Sequence, residues 1–201
     1  MVDAAEAEFA ERGFEGTTMD RIAAAAGVSK SHLYYHFDSK DDLLAGLFAD
    51  RVERILADKE ALIAGAAVVD DVLVETMLGE GIERLVEAHP AFLRIVLREC
   101  FRPEGRRDLV FGLLRRLTDD TAARFSGFGA DVDPEVLASA MTWFALLPIL
   151  AELLLGGDWA RALGLDPDRQ HTLFRQQLGG LYRVWLAGLA PAEEKEDRYE
   201  R

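Results

Sequence analysis

Residues 17–40 read TTMDRIAAAAGVSKSHLYYHFDSK. Thr18 stands where a helix can begin, because its hydroxyl can take up an orphan amide of the first turn. Met19, Ile22, Ala23 and Ala26 then recur at helical spacing and form one apolar face. Gly27 ends that helix and permits a sharp turn. Ala24 and Ala25 are small, so a second helix can approach closely. Ser29 caps the second helix, which is short and runs through Tyr35, with Val28 and Leu33 as its anchors. Its outward face then holds Lys30, Ser31, His32, Tyr34, Tyr35 and His36. These are hydrogen-bond donors and aromatic rings of short or medium reach, suited to base edges and phosphates. A capped helix, a tight turn and a short second helix make up a helix-turn-helix.

Upstream, residues 2–12 carry Val2, Ala5 and Phe9 on one face, and Gly13 follows as a C-cap. Downstream, Ser39 caps a longer helix whose face runs Leu43, Leu44, Leu47, Phe48, Val52, Ile55 and Leu56. Further helices are expected over 68–89, 91–101, 106–125, 134–156 and 167–189, with Pro90, Pro103, Pro134 and Pro167 as punctuation. No strand pattern and no repeat is visible. The chain of 201 residues therefore reads as all-α: a three-helix helix-turn-helix domain over 1–45, a larger helical domain over 46–190, and a charged tail over 191–201. The one cysteine, Cys100, forms no intrachain disulfide, which fits a reducing cytoplasm, and the acidic start is unlike a signal peptide. Val136 to Leu155 is long and apolar enough to raise a membrane span, but it contains Glu152 and Pro148 and lacks flanking Lys or Arg clusters. It is read as a buried helix, with no membrane partner, and Pro148 predicts a kink in it.

Residues 9–48 resemble the N-terminal domain of the TetR family of bacterial regulators. The matching features are Phe9 to Phe14 (Phe-Ala-Glu-Arg-Gly-Phe), Thr17-Thr18, Ile22-Ala23, Ala26-Gly27-Val28-Ser29, the Leu-Tyr-Tyr-His-Phe run at 33–37, and Ser39-Lys40 before a Leu-rich helix. The resemblance implies that the recognition helix is Ser29 to Tyr35. Lys30, Ser31 and His32 would then reach base edges, and Tyr34, Tyr35 and His36 bases or phosphates. It further implies that Lys40 holds a phosphate at the start of the fourth helix, and that Thr17 or Thr18 does so at the second. Ser31-His32 is a departure, since the family often has Gly-Thr there, so the base-reading surface is this chain's own. The partners implied are double-stranded operator DNA, a small-molecule effector, and a second copy of the chain.

Charge opposes this reading. The chain carries a net −13, of which 1–45 contributes −5, four basic residues against nine acidic. A surface this acidic binds phosphate only where its few cations face the duplex. Lys30 and Lys40 are expected to do so. A further expectation is that the chain starts late and lacks the basic arm that usually precedes the first helix in this family, the alternative being a natural armless variant.

For the larger domain, the resemblance implies an effector pocket and a dimer built by the last two long helices. The helices near 134–156 and 167–189 are apolar over more than one face, as a two-fold four-helix interface would need, with Leu147, Ile149, Leu150, Leu173, Leu178 and Leu181 among the candidates. Met77, Phe92, Phe101, Phe111, Met141, Trp143 and Phe144 are candidates to line an apolar cavity, with His89, Arg94, Arg98 or Cys100 as polar handles. The preferred effector is apolar or amphipathic, and the preferred mode is repression relieved by that effector. No cofactor or metal is expected, because the four histidines (32, 36, 89, 171) and Cys100 show no ligand set. Catalysis is not expected either. Ser126 lacks the first glycine of a nucleophile elbow, and Gly127-x-Gly129 lacks the third glycine of a dinucleotide loop. The remaining rival is a helical interaction protein that has lost DNA binding.

Overall fold

The computed structural model describes residues 1–65, 76, 81–102, 106–127 and 133–189, and the described elements are all helical. They are α1 (Val2–Gly16), α2 (Met19–Ala25), α3 (Lys30–His36), α4 (Lys40–Ile63), α5 (Ile82–Ala88), α6 (Pro90–Cys100) and α7 (Arg106–Gly127). They continue with α8 (Pro134–Ala140), α9 (Leu147–Ala151), α10 (Gly157–Ala162) and α11 (Pro167–Leu189). Most of the helix expected over 68–89 and all of the tail expected over 191–201 lie outside the described residues.

The chain forms two compact units. The first comprises Met1–Ala57 with Leu85–Arg116, and the second Asp58–Arg84 with Leu117–Arg201. The boundary expected at residue 45 falls inside α4, which runs unbroken from Lys40 to Ile63. In the first unit, Phe9, Ile22, Leu33, Leu43, Leu44 and Leu47 are almost completely buried, as are Phe92, Val96 and Val110. Phe48 packs edge to face on Phe92 at 5.0 Å between centroids. Burying large side chains of this kind stabilises by roughly 1.5–3 kcal/mol each. The helix-turn-helix thus shares its core with α4, α6 and the start of α7.

Two glycines carry the turns. Gly13 has φ +72° and ψ 171°, which breaks α1 before its last turn. Gly27 has φ +66° and separates α2 from α3. Both have the positive φ that L side chains rarely adopt, at a cost of about 1–3 kcal/mol, and Gly13 with its extended ψ lies in a region essentially reserved for glycine. In α2 the buried positions are Met19, Ile22 and Ala23. Ala24 and Ala25, expected to be the close-approach pair, are instead exposed.

In the second unit, Ile63, Leu137, Ala140, Ile149, Leu150, Ala160 and Leu178 are buried. Around Pro148, where a kink was expected, the helix departs from α geometry. Met141–Leu146 and Glu152–Gly156 are wound as π-helix on either side of α9. In an α-helix the Pro148 ring would meet the carbonyl of Phe144, and the wider π turn relieves that clash. Glu152 interrupts this apolar stretch, and its carboxylate lies 3.4 Å from His171 Nδ1. Among the described residues no helix is long and apolar enough to cross a membrane.

Candidate nucleic-acid interface

Each short helix of the first unit starts on a side-chain cap. Thr18 Oγ1 accepts the Arg21 amide at 3.3 Å, and Ser29 Oγ accepts that of His32 at 3.1 Å. At α4, Ser39 Oγ accepts the Asp42 amide at 3.0 Å while the Asp42 carboxylate accepts the Asp38 amide at 3.1 Å. This reciprocal arrangement satisfies two orphan donors at once. With α3 held by its cap and by Leu33, which is fully buried, the other face is left to solvent. Lys30, Ser31, His32, Tyr34, Tyr35 and His36 are all exposed, and Tyr35 is 83% accessible. The structure therefore brings six of the sequence candidates onto one helix of seven residues.

The face is ordered by contacts among its own side chains. The His32 and His36 rings meet edge to face at 5.0 Å, and Tyr35 meets His36 in the same way at 5.2 Å. Lys30 Nζ lies 2.7 Å from Asp20 Oδ1 and 5.9 Å from the Tyr34 ring centroid. The hydrogen bond from Lys30 to Asp20 raises the lysine pKa further. Both partners are exposed, so the pair contributes little to stability and can yield its cation to a phosphate.

Two of the expected phosphate contacts sit differently. Thr17 is fully buried, and its hydroxyl lies 2.8 Å from Gly13 O and 3.0 Å from Glu8 O. One hydroxyl hydrogen shared between two carbonyls leaves nothing to offer a backbone outside, so Thr17 is removed from the surface and Thr18 alone remains there. Lys40 Nζ donates to Phe14 O at 2.7 Å and Thr17 O at 2.9 Å, and lies 4.1 Å from the Phe14 ring centroid. Two of its three donors are thus committed to the end of α1, where the helix dipole favours a cation. The third donor remains for a phosphate.

Six of the nine acidic residues of 1–45 are ion-paired within the first unit. Glu8 pairs with Arg12 at 3.2 Å and Arg21 at 3.0 Å, and Glu11 pairs with Arg12 at 3.1 Å. Asp3 and Glu6 take the buried Arg51 guanidinium of α4 at 2.5 and 2.7 Å. Glu15 pairs with Arg106 of α7 at 2.8 Å, which lowers its pKa, chiefly through the hydrogen bond. Arg51 and Arg106 lie outside 1–45, so a charge count confined to that segment overstated its negative surface.

The ligand-pocket candidates scatter. Phe92 is closed into the core of the first unit, whereas Phe101 is 87% exposed. Met77 and the side chain of Met141 lie outside what the structure describes. Trp143 and Phe144 are exposed in the second unit. Phe144 lines an open apolar cleft of about 500 Å³ with Ala140, Gly180, Leu181, Tyr182 and Val184. Burial raises the pKa of the Tyr182 hydroxyl, keeping it neutral. Sequence reasoning missed Tyr182 as a lining residue. Its signal was the adjacent pair of small residues, Gly179-Gly180, one helical turn or less away from it.

Residues 1–47 match the model of the bacterial regulatory proteins of the tetR family. Helix α3, its N-cap Ser29 and its buried Leu33 all lie within that match. Over this segment the chain is similar to the TetR family. The biofilm operon icaADBC HTH-type negative transcriptional regulator IcaR of Staphylococcus aureus (strain Newman) is 46% identical over 43 residues, which are 21% of this chain and 23% of that protein. The alignment thus spans about a quarter of the curated relative. Similarity of fold extends much further. A TetR-family regulator from Mesorhizobium loti MAFF303099 superposes with a TM-score of 0.68 at 18% identity, over 91% of this chain and 93% of that one. The Flavonoid-responsive Regulator FrrA is 27% identical, with a TM-score of 0.59 and 95% of both chains covered. In TetR-family structures an N-terminal helix-turn-helix is followed along the chain by a helical domain, and the described helices here come in the same order.

Proposed function

We propose that this chain is a ligand-responsive, DNA-binding transcriptional repressor that acts as a homodimer on a palindromic operator. The observation that carries the reading is the exposed face of α3, with Tyr35 at 83% accessibility on a helix whose opposite side is locked by Leu33. Lys30, Ser31 and His32 at its N-terminal end serve base edges. Tyr34, Tyr35, His36, Thr18 and the remaining donor of Lys40 serve bases or phosphates. Two such helices, held about 34–36 Å apart by a two-fold dimer, would enter successive major grooves. Support for the dimer comes from apolar side chains left exposed on the helices after residue 134, including Trp143, Leu147, Trp159, Leu173 and Leu181.

The effector proposed is a small apolar or amphipathic molecule. The cleft around Phe144 and Leu181 has the volume of an ordinary small-molecule site and an apolar lining. FrrA, by its name, is a flavonoid-responsive protein of similar fold. An effector that prefers a dimer with a different helix spacing weakens operator binding to the same degree that DNA weakens effector binding.

Selection of bound duplexes from a random pool, at low salt, tests the reading. Enrichment of a palindrome is expected, and it should disappear with Tyr35→Ala. No enrichment from the full chain would overturn the proposal in favour of a helical interaction protein. Lys40 is a poor choice for this test, because its bonds to Phe14 and Thr17 make it a structural residue as well.

A further inference from the structure

His32 and His36 are spaced four apart on α3, so they share one face of the helix. Both are exposed, and their ring centroids stand 5.0 Å apart. Two imidazoles ligating one metal at ~2.0–2.1 Å in tetrahedral geometry place their centroids about 5 Å apart, because each centroid lies roughly 1 Å behind its nitrogen. The ring separation therefore suits a shared metal, and rotation of the two side chains, without movement of the backbone, can turn one nitrogen of each toward it. Paired histidines one helical turn apart are the arrangement by which helices present two nitrogens to zinc. No third His, Cys, Asp or Glu completes a metal-holding group among the described residues. A metal held here would keep open positions for water.

We propose that His32 and His36 form a bidentate site for a divalent transition metal of the imidazole-preferring class, Zn²⁺, Ni²⁺ or Cu²⁺. The sequence expectation of no metal is thereby revised at this pair. The chain's net charge of −13 favours accumulation of cations at its surface. A metal seated on α3 occupies the face proposed to enter the major groove and takes both imidazoles away from bases and phosphates. Occupancy of the site therefore opposes duplex binding, and this consequence rests on the DNA-binding reading above. The site itself does not.

The test is calorimetric titration of the full chain, carrying no histidine tag, with Zn²⁺ alone and no DNA present. One site per chain is expected. His32→Gln and His36→Gln should each weaken it by at least about tenfold, the lower bound for losing even a partner of a metal ligand. His171→Gln should leave it unchanged, which separates the site from any Zn²⁺ held between His171 and Glu152. Wild-type affinity in either His32→Gln or His36→Gln, or no binding below about millimolar Zn²⁺ (a standard free energy near −4 kcal/mol), overturns the site. Circular dichroism on the two variants keeps the result readable, since both positions are exposed and the fold should be retained. In a second arm, duplex affinity is compared with and without saturating Zn²⁺ within each variant. A fall in wild type that is absent in His32→Gln supports competition, and equal affinity in wild type overturns it. A chain that binds Zn²⁺ but no duplex would count against the DNA-binding reading while leaving the metal site in place.

Discussion

At the scale of the residue, the same segment mixes side chains that hold the domain and side chains that face outward, and the two classes respond differently to substitution. Tyr35→Ala removes a side chain that is 83% accessible, so unfolding free energy should change by no more than about 0.5 kcal/mol. Duplex affinity should fall by about tenfold or more, as loss of roughly 1–3 kcal/mol of contact energy implies. Chemical denaturation and a gel-shift titration measure the two quantities separately, and a matched loss in both would sink the assignment. Thr17→Val behaves in the opposite way. Its hydroxyl is buried against two carbonyls, so the variant should lose about 1–3 kcal/mol of stability. Thr17 and Thr18 look equivalent as letters, and sequence reasoning treated them so. Only the path of the chain after the break at Gly13 turns one inward and the other out to cap α2.

At the scale of the element, the helix starts were legible because capping is local chemistry. Thr18, Ser29 and Ser39 each accept the amide three residues on, as their types and positions imply. Leu33 as the anchor of α3 was legible too, since a single leucine among polar and aromatic neighbours marks the inner face. The effector cavity was not legible. Apolar residues of long helices look alike in sequence whether they fill a core, as Phe92 does, or stand in solvent, as Phe101 does. Which of them line a cleft depends on the pairing of distant helices. Gly27 gives a clean test at this scale. A Cβ added there meets nothing within 4 Å, so the cost of Gly27→Ala comes from φ +66° alone. Loss of about 1–2 kcal/mol is expected on thermal or chemical unfolding, with α2 and α3 retained by circular dichroism. A neutral effect would mean that the turn relaxes to another geometry.

At the scale of the whole molecule, oligomeric state and pH dependence are the measurable properties. Leu147 and Leu173 are 41% and 38% exposed, and both were expected at the dimer interface from sequence. Introducing glutamate at both positions should convert a dimer to a monomer in sedimentation at micromolar concentration and abolish palindrome binding. A dimer that persists would place the interface elsewhere. Glu99 sets a pH trend. It is buried beside Arg106, its Oε2 receives no hydrogen bond from the described residues, and burial raises its pKa. The folded state thus holds this proton to higher pH than the unfolded chain does. Its contribution to stability is present below the unfolded value near 4.5 and is lost as pH rises through the folded one. Glu99→Gln should accordingly gain on wild type as pH rises from 4 to 7, and a widening gap in the opposite direction would contradict this. The way α1 is fastened has an evolutionary corollary. Arg98 donates to the carbonyls of Phe9 and Ala10, exposed by the break at Gly13, and Lys40 donates to those of Phe14 and Thr17. A cation bound to main-chain oxygen is indifferent to the identity of the side chain that oxygen belongs to. The outer surface of α1 can therefore drift in sequence, and even in sign of charge, while its attachment stays intact, and this freedom makes an acidic DNA-binding domain an accessible variant.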